Sequence, residues 1–147
     1  MKLDSAGENF ILQEEGMVLH PYQDSAGIAT IGVGCTYYED GTLVTLQDEP
    51  ITEERALQLF RNLVKTYELA VGKAIHVPLT QNQFNALVSL CFNIGIAAFK
   101  QSTLVIKINT EASIAEIETW FLVWNKVGVA PILLDRRKRE FQLFCTP

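Results

Sequence analysis

The chain has 147 residues, of which 48% are hydrophobic and 20% are charged, and its formal net charge is −5. This composition excludes a disordered chain and suits one globular domain, and the net negative charge argues against a nucleic-acid partner. The charge is unevenly distributed, because residues 1–60 carry a net charge of −9 and residues 61–147 a net charge of +4.

The first fifty residues are predicted to form one short helix and a small β segment. Residues 5–15 contain the apolar patch of a helix, which Gly16 ends. From residue 17 onward, β-forming residues are interrupted by glycines, which favours short, bent antiparallel strands over a broad sheet. Residues 41–50 are predicted to be a loop or a third short strand.

The rest of the chain is predicted to be helical. Thr52 opens a long helix with two glutamates in its first turn. Thr80 and Gln83 have the spacing of a capping box ahead of another helix, which Gly95 stops. Three more helices are predicted, over residues 98–108, over residues 113–124 and over a last segment that Asp135 would cap.

These elements predict a mainly helical α+β protein with a single domain over residues 1–147. The small N-terminal antiparallel β lobe covers about residues 17–50, and a connecting helix covers about residues 52–75. The larger helical lobe comprises about residues 76–147 and the N-terminal helix. The two lobes are predicted to flank a cleft.

The three cysteines, Cys35, Cys91 and Cys145, form no CxxC spacing and are expected to be free thiols in a reducing cytosol. The N-terminus lacks the apolar core of a signal peptide, and no stretch is long and apolar enough to span a bilayer. No metal-ligand cluster or phosphate-binding loop is evident. We therefore expect no metal and no cofactor.

Glu15, Asp24 and Thr30 are the candidate catalytic residues. Glycoside hydrolysis needs one carboxyl that holds a proton for the leaving oxygen and a second carboxylate near the anomeric centre. Glu15 lies where the first helix turns into the β segment, and partial burial there would keep it protonated. Asp24 lies on a more polar loop and would stay ionised, and Thr30 could orient a water.

Glu14 is the alternative to Glu15 as the acid. Adjacent side chains on a helix point about 100° apart, so only one of the two can face a cleft. Glu15 is preferred because it is nearer to Gly16. A second alternative is that Glu15 and Asp24 only keep the surface soluble, and the residue pair by itself does not exclude it.

A wider pattern resembles the phage-type lysozymes, or endolysins. The residues that resemble the catalytic signature of this family are Glu15-Gly16, Tyr22-Gln23-Asp24, Gly27 and Thr30-Ile31-Gly32-Val33-Gly34. Residues 79–104 resemble the family's central helix and the turn that follows it. Residues 124–144 resemble its C-terminal helices. The matches span nearly the whole chain in the same order.

The resemblance implies a lysozyme-like fold and a muramidase that cuts the β-1,4 bond between N-acetylmuramic acid and N-acetylglucosamine in peptidoglycan. It implies that Glu15 is the general acid, and that Asp24 and Thr30 position and activate a water in an inverting reaction. It further implies a phage protein without a cofactor, and nothing in the sequence demands more than a monomer. Such a protein stays in the bacterial cytoplasm until a holin opens a lesion in the membrane. It then reaches the periplasm and the cell wall.

Tyr22, Gly32 and Asn93 are the candidate substrate-binding residues. Gly32 would allow close approach of the substrate, and Tyr22 is either a wall of the cleft or a core residue of the β lobe. The resemblance places the Asn93 amide against a sugar, and the alternative is a helix C-cap. Trp120 and Trp124 are interpreted as core residues on one helix face.

The chain departs from the family pattern at two positions. Members often carry a histidine where this chain has Cys35, so a structural ion pair of that histidine would have to be replaced. Many members have a glycine where this chain has Ile132, which could alter a loop at the rim of the cleft. Neither departure touches the three candidate catalytic residues.

The densest basic cluster is Arg136-Arg137-Lys138-Arg139. It is interpreted as a solvated helix face, and contact with an anionic membrane or lipopolysaccharide is the alternative.

Two other functions compete with a muramidase. One is a lytic transglycosylase, which leaves a 1,6-anhydro end, and the other is a non-enzymatic wall- or membrane-binding protein that acts through this basic helix.

Overall fold

The computed structural model describes all 147 residues and confirms the predicted α+β class, with seven helices and one two-stranded antiparallel sheet. No helix combines the length and the apolar composition that crossing a bilayer requires. The elements in chain order are α1 (Ser5–Glu15), β1 (Val18–Gln23), β2 (Ala29–Gly32), α2 (Glu53–Ala74), α3 (Gln81–Ile94), α4 (Ile96–Lys100), α5 (Thr103–Asn109), α6 (Ile114–Leu122) and α7 (Leu134–Phe144).

The chain divides into two compact units. The β unit comprises residues Ile11–Thr66, and the helical unit comprises Met1–Phe10 together with Tyr67–Pro147. The β unit extends beyond the predicted β lobe, because it includes the end of α1 and the first part of α2.

The β unit is built around the hairpin of β1 and β2. The strands pair Tyr22 with Thr30 and Gln23 with Ala29, and the register is irregular between Val18 and Tyr22. Residues 41–50 form a loop, and its contacts with the preceding segment include an isolated bridge between Tyr37 and Leu43. The buried hydrophobic side chains of the unit are Ile11, Ile31, Val33, Cys35, Val44, Ala56, Leu59, Phe60, Leu63 and Val64.

The helical unit is centred on α3, which is buried from Phe84 to Cys91 and packs against α4 and α7. The predicted capping box is confirmed, because Thr80 Oγ1 accepts the Gln83 N–H at 3.1 Å and Gln83 Oε1 accepts the Thr80 N–H at 2.9 Å. Gly95 ends the helix as predicted, and its N–H donates to the Cys91 carbonyl. The side chains of the capping box therefore fix the start of the central helix, and the backbone of Gly95 fixes its end.

The predicted helix over residues 98–108 is wrong, because two helices, α4 and α5, share this segment. Ser102 separates them. Its hydroxyl donates to the Phe99 carbonyl at 2.7 Å and accepts the Val105 N–H at 3.3 Å. One serine thus closes α4 and caps the start of α5.

Two other predicted boundaries are also wrong. Helix α6 ends at Leu122, where the Asn125 side chain donates to the Leu122 carbonyl at 2.6 Å, so Trp124 lies outside the helix and does not share a helix face with Trp120. Helix α7 begins after Leu133 without a side-chain cap, and Asp135 lies in its first turn.

Candidate active site

Glu15 is the last residue of α1. Gly16 adopts a positive φ of 73°, and its N–H donates to the Leu12 carbonyl at 2.9 Å, which ends the helix as predicted. Glu15 therefore lies at the junction of α1 and β1. Glu14 and Glu15 are both half-buried, so burial does not distinguish between the two candidate acids.

Asp24 lies in the loop that joins β1 to β2. Its Oδ1 accepts hydrogen bonds from the N–H groups of Ala26 and Ile28, both at 2.9 Å. Its backbone N–H donates to the Ile28 carbonyl, and its carbonyl accepts the Gly27 N–H, both also at 2.9 Å. These hydrogen bonds fix the Asp24 carboxyl group on the hairpin. They use only Oδ1, so Asp24 Oδ2 has no partner within the chain. The second oxygen is therefore available to a water molecule.

Thr30 is placed at the start of β2 and is only 3% exposed. Its hydroxyl donates to the Ile28 carbonyl at 2.9 Å, so the hydroxyl hydrogen is already engaged. The lone pairs of Oγ1 can still accept a hydrogen bond from a water. Asp24 and Thr30 are thus linked through the backbone of one residue, Ile28.

Tyr22 is paired with one predicted catalytic residue, and the charges of the other two affect its pKa. It is paired with Thr30 across the hairpin, and side chains of directly paired residues lie on the same face of a sheet. Burial raises the pKa of the Tyr22 phenol, and the negative charges of Asp24 and Glu15 raise it further. Both carboxyl groups therefore act on one hydroxyl within the β unit.

Gly32 has a structural role in the β unit. Its φ is +68°, a conformation that glycine adopts without strain. A Cβ at this position would contact Ala56 at 3.6 Å and Ile51 at 3.8 Å, so the missing side chain would point toward α2. These are ordinary van der Waals distances, so the positive φ and not a lack of room accounts for the glycine, and the predicted contact with substrate remains a prediction.

The two departures from the family pattern lie in different surroundings. Cys35 is buried, and burial raises the pKa of its thiol to about 11, so it is held as a neutral apolar side chain. Ile132 is 69% exposed in the segment ahead of α7. Cys91 is also buried and Cys145 is exposed, and all three cysteines are free, as predicted.

Asn93 lies in the helical unit, near the end of α3, and is not the cap of that helix, which is Gly95. Its Oδ1 accepts a hydrogen bond from Nη2 of Arg137 at 2.8 Å. The helix C-cap interpretation of Asn93 is therefore wrong, and the side chain belongs to a polar contact between α3 and α7.

Arg137 is part of a buried ionic cluster with Arg136, Glu140 and Ser89. Arg136 is 6% exposed and Arg137 and Glu140 are 0% exposed. Glu140 Oε1 lies 2.7 Å from Arg137 Nε, and Oε2 accepts hydrogen bonds from the Ser89 hydroxyl at 2.5 Å and from Arg136 Nε at 3.3 Å. Burial raises the pKa of Glu140, whereas the two guanidinium groups and the Ser89 hydroxyl oppose that shift.

This cluster corrects the interpretation of residues 136–139 as a solvated basic face. Arg136 and Arg137 point into the helical unit and are neutralised in part by Glu140, so only Lys138 and Arg139 are exposed. The sequence signal that could have shown this is the spacing of Glu140, which lies three residues after Arg137 and four after Arg136 on one helix.

The structure contains no group of three or more His, Cys, Asp or Glu side chains that could hold a metal ion. What the β unit does offer is two carboxyl groups in different settings, one at a helix end and one on a hydrogen-bonded loop. In a mainly helical α+β fold, two carboxyl groups in different settings are what glycoside hydrolysis of the lysozyme type requires. The phage lysozyme family matches residues 12–140, and the chain belongs to this family.

Relatives of known name and structure agree with this assignment. The endolysin of Salmonella phage P22 is 43% identical over 145 residues, with 98% of each chain covered, and the endolysin of Acyrthosiphon pisum secondary endosymbiont phage 1 is 37% identical with the same coverage. The crystal structure of a P22 lysozyme mutant has a TM-score of 0.89 at 41% identity and 99% coverage of both chains. The muramidase domain of SpmX from Asticaccaulis excentricus has a TM-score of 0.82 at 36% identity, again covering 99% of both chains.

Proposed function

We propose that the protein is an endolysin that acts as a muramidase on peptidoglycan, cutting the β-1,4 bond between N-acetylmuramic acid and N-acetylglucosamine. The observation that carries this proposal is the placement of Glu15 at the junction of α1 and β1, next to a hairpin on which Asp24 and Thr30 both hydrogen-bond to the backbone of Ile28. Hydrolysis by an activated water requires one acid and one carboxylate, and a hydroxyl beside them can help to hold that water.

In this mechanism, Glu15 gives its proton to the glycosidic oxygen as the bond to the anomeric carbon breaks. A water on the opposite face of the sugar, held by Asp24 Oδ2 and Thr30 Oγ1, attacks that carbon, and Asp24 takes the proton that the water loses. The product is inverted at the anomeric centre. Room for the water requires a separation of roughly 6.5–9.5 Å between the two carboxyl groups.

The products of purified peptidoglycan test this proposal. We expect new reducing ends of N-acetylmuramic acid that form first in the α configuration, because inversion of a β bond gives an α product. Mass spectrometry identifies the ends, and proton NMR during the first turnovers reads the configuration. A 1,6-anhydro end would instead show a lytic transglycosylase, which needs no attacking water.

The role of Asp24 can be tested by Asp24→Asn. An asparagine keeps the side-chain oxygen that accepts the N–H groups of Ala26 and Ile28, so the hairpin should stay folded. Loss of the negative charge and of the base should lower kcat by about 10²–10⁴-fold. Turnover assays with far-ultraviolet circular dichroism as the folding control would check this, and an unchanged kcat would remove Asp24 from the mechanism.

The proposed partner is the glycan strand of peptidoglycan, and the protein is proposed to act as a monomer. We further propose that it is held in the bacterial cytoplasm until a holin lesion releases it to the periplasm and cell wall. Contact with an anionic membrane or lipopolysaccharide now depends on Lys138 and Arg139 alone, since Arg136 and Arg137 are buried. The buried pair also argues against a non-enzymatic function through the basic helix.

A further inference from the structure

A cavity of about 410 Å³ lies within the helical unit, where the C-terminal ends of α2, α4 and α5 meet. Its lining residues are Lys73, Ala74, His76, Lys100, Val105 and Asn109. Two lysines and a histidine thus line one cavity, and no carboxylate lines it. The chain as a whole has a net charge of −5, so this lining is opposite in sign to the overall charge. We call this region the basic cavity.

Asn109 fixes one wall of the basic cavity. Its Oδ1 accepts the His76 N–H at 2.7 Å, and its Nδ2 donates to the Ala74 carbonyl at 2.8 Å. Because one of these backbone groups is a donor and the other an acceptor, they determine the orientation of the amide. The side chain therefore ties the segment that follows α2 to the end of α5.

The ring of His76 is also held in place. Its Nε2 lies 3.1 Å from the Lys73 carbonyl. A carbonyl group only accepts hydrogen bonds, so Nε2 carries the hydrogen when the ring is neutral. The other ring nitrogen, Nδ1, makes no hydrogen bond within the chain. It can accept from a ligand hydroxyl when the ring is neutral and donate to an anion when the ring is charged.

Lys73 and Lys100 are exposed, and neither forms an ion pair within the chain. Lysines near the C-terminus of a helix can compensate its unpaired carbonyl groups. Here those carbonyls have other partners, because the His76 ring bonds the Lys73 carbonyl and the Ser102 hydroxyl donates to the Phe99 carbonyl. The two ammonium groups are therefore available to an anion from outside the chain.

We propose that the basic cavity binds a sugar phosphate, with Lys73 and Lys100 compensating the phosphate charge and His76 Nδ1 bonding one phosphate oxygen. A phosphate monoester carries roughly 1.5–2 negative charges at pH 7, which matches two lysines. Lysine binds phosphate as a point charge, without the fixed geometry that arginine demands. Pockets for small molecules have volumes of roughly 300–1,000 Å³, so the cavity has room for a sugar beside the phosphate. This inference does not depend on the proposed muramidase activity.

The first experiment is an NMR titration of the wild-type chain with glucose 6-phosphate at a constant ionic strength set by sodium chloride. We expect saturable shifts of the ring signals of His76 and of the side-chain NH₂ signals of Asn109. Inorganic phosphate should bind more weakly, and glucose should cause no shift. The absence of a saturable shift with glucose 6-phosphate would overturn the proposal, and equal Kd values for the two phosphates would overturn the sugar component.

Two substitutions locate the binding site. Lys73→Gln and Lys100→Gln should each raise the Kd for glucose 6-phosphate about fivefold, the effect of losing one exposed charge pair. Far-ultraviolet circular dichroism checks that both variants fold. A lower unfolding temperature with an unchanged Kd would show that the lysines serve only the helix ends, and this result would contradict the proposal.

Lys107→Gln is the matched control for lost positive charge. Lys107 belongs to the same unit but pairs with Glu116 at 2.9 Å and does not line the basic cavity. Its substitution should leave the Kd for glucose 6-phosphate unchanged. Equal losses from all three lysine substitutions would mean that general charge attraction, and not the basic cavity, holds the ligand.

Vesicles of phosphatidylglycerol separate a soluble sugar phosphate from a lipid headgroup, whose phosphate is a diester. We expect Lys73→Gln and Lys100→Gln to sediment with these vesicles to the same extent as the wild type. Vesicle binding that both substitutions abolish, together with no binding of glucose 6-phosphate, would replace the sugar phosphate by a lipid surface. Peptidoglycan cleavage is measured separately, so failure of this inference leaves the muramidase proposal intact.

Discussion

Replacing Glu15 with glutamine is expected to lower kcat on purified peptidoglycan by about 10²–10⁴-fold. Glutamine has nearly the same shape as glutamic acid but cannot give a proton to the leaving oxygen. Because Glu15 lies at the end of α1 and is only half-buried, the free energy of unfolding should change little. Turbidity loss of purified cell walls gives the rate, and urea unfolding gives the stability.

Glu14→Gln is the matched control for this experiment. The two glutamates are neighbours in α1, are both half-buried, and undergo the same chemical change. We expect Glu14→Gln to keep turnover close to that of the wild type. Equal losses from the two substitutions would contradict the assignment of Glu15 as the sole acid, and a loss confined to Glu14→Gln would reverse it.

The largest effect on stability is expected from Glu140→Gln, at about 3–5 kcal/mol. The glutamine would leave two guanidinium groups, those of Arg136 and Arg137, buried without the negative charge that compensates them. Removing one partner of a buried ionic cluster costs far more than the cluster contributes as a whole, because the remaining charges stay desolvated. Urea unfolding followed by tryptophan fluorescence measures the change.

Glu39→Gln provides the comparison for Glu140→Gln. Glu39 pairs with Arg55 at 2.6 Å, but both side chains are more than a third exposed. Water and salt screen an exposed pair, so this substitution should change the unfolding free energy by no more than about 1 kcal/mol. Similar small effects for both substitutions would contradict the buried electrostatic role assigned to Glu140.

Several helix ends that depend on neighbouring residues were predicted correctly. The capping box of Thr80 and Gln83 and the stop at Gly95 are hydrogen-bonded patterns within a few residues, and both are confirmed. The start of α2 follows the same rule, because Thr52 Oγ1 accepts the Arg55 N–H at 3.1 Å. Ser113 likewise caps α6. Such local patterns can be seen in a single sequence without knowledge of the fold.

Boundaries that depend on distant residues were not predicted. Helix α7 starts without a side-chain cap, and its first segment is held by the Leu133 N–H, which donates to the Asn125 carbonyl at 3.0 Å. No residue spacing in the sequence predicts that hydrogen bond. The split at Ser102 was a different kind of error, because the serine is a local capping signal that lies within an otherwise apolar run.

The sequence by itself determined the family, the order of elements and the candidates Glu15, Asp24 and Thr30, because helix caps, glycine turns and motif spacing are local properties. Only the tertiary structure decided the state of Arg136 and Arg137. From the sequence alone, the two arginines are predicted to lie on a basic surface. Packing of α7 against α3 instead buries both and places them in contact with Ser89 and Glu140. Burial depends on which helix faces meet, and that is a property of the folded chain.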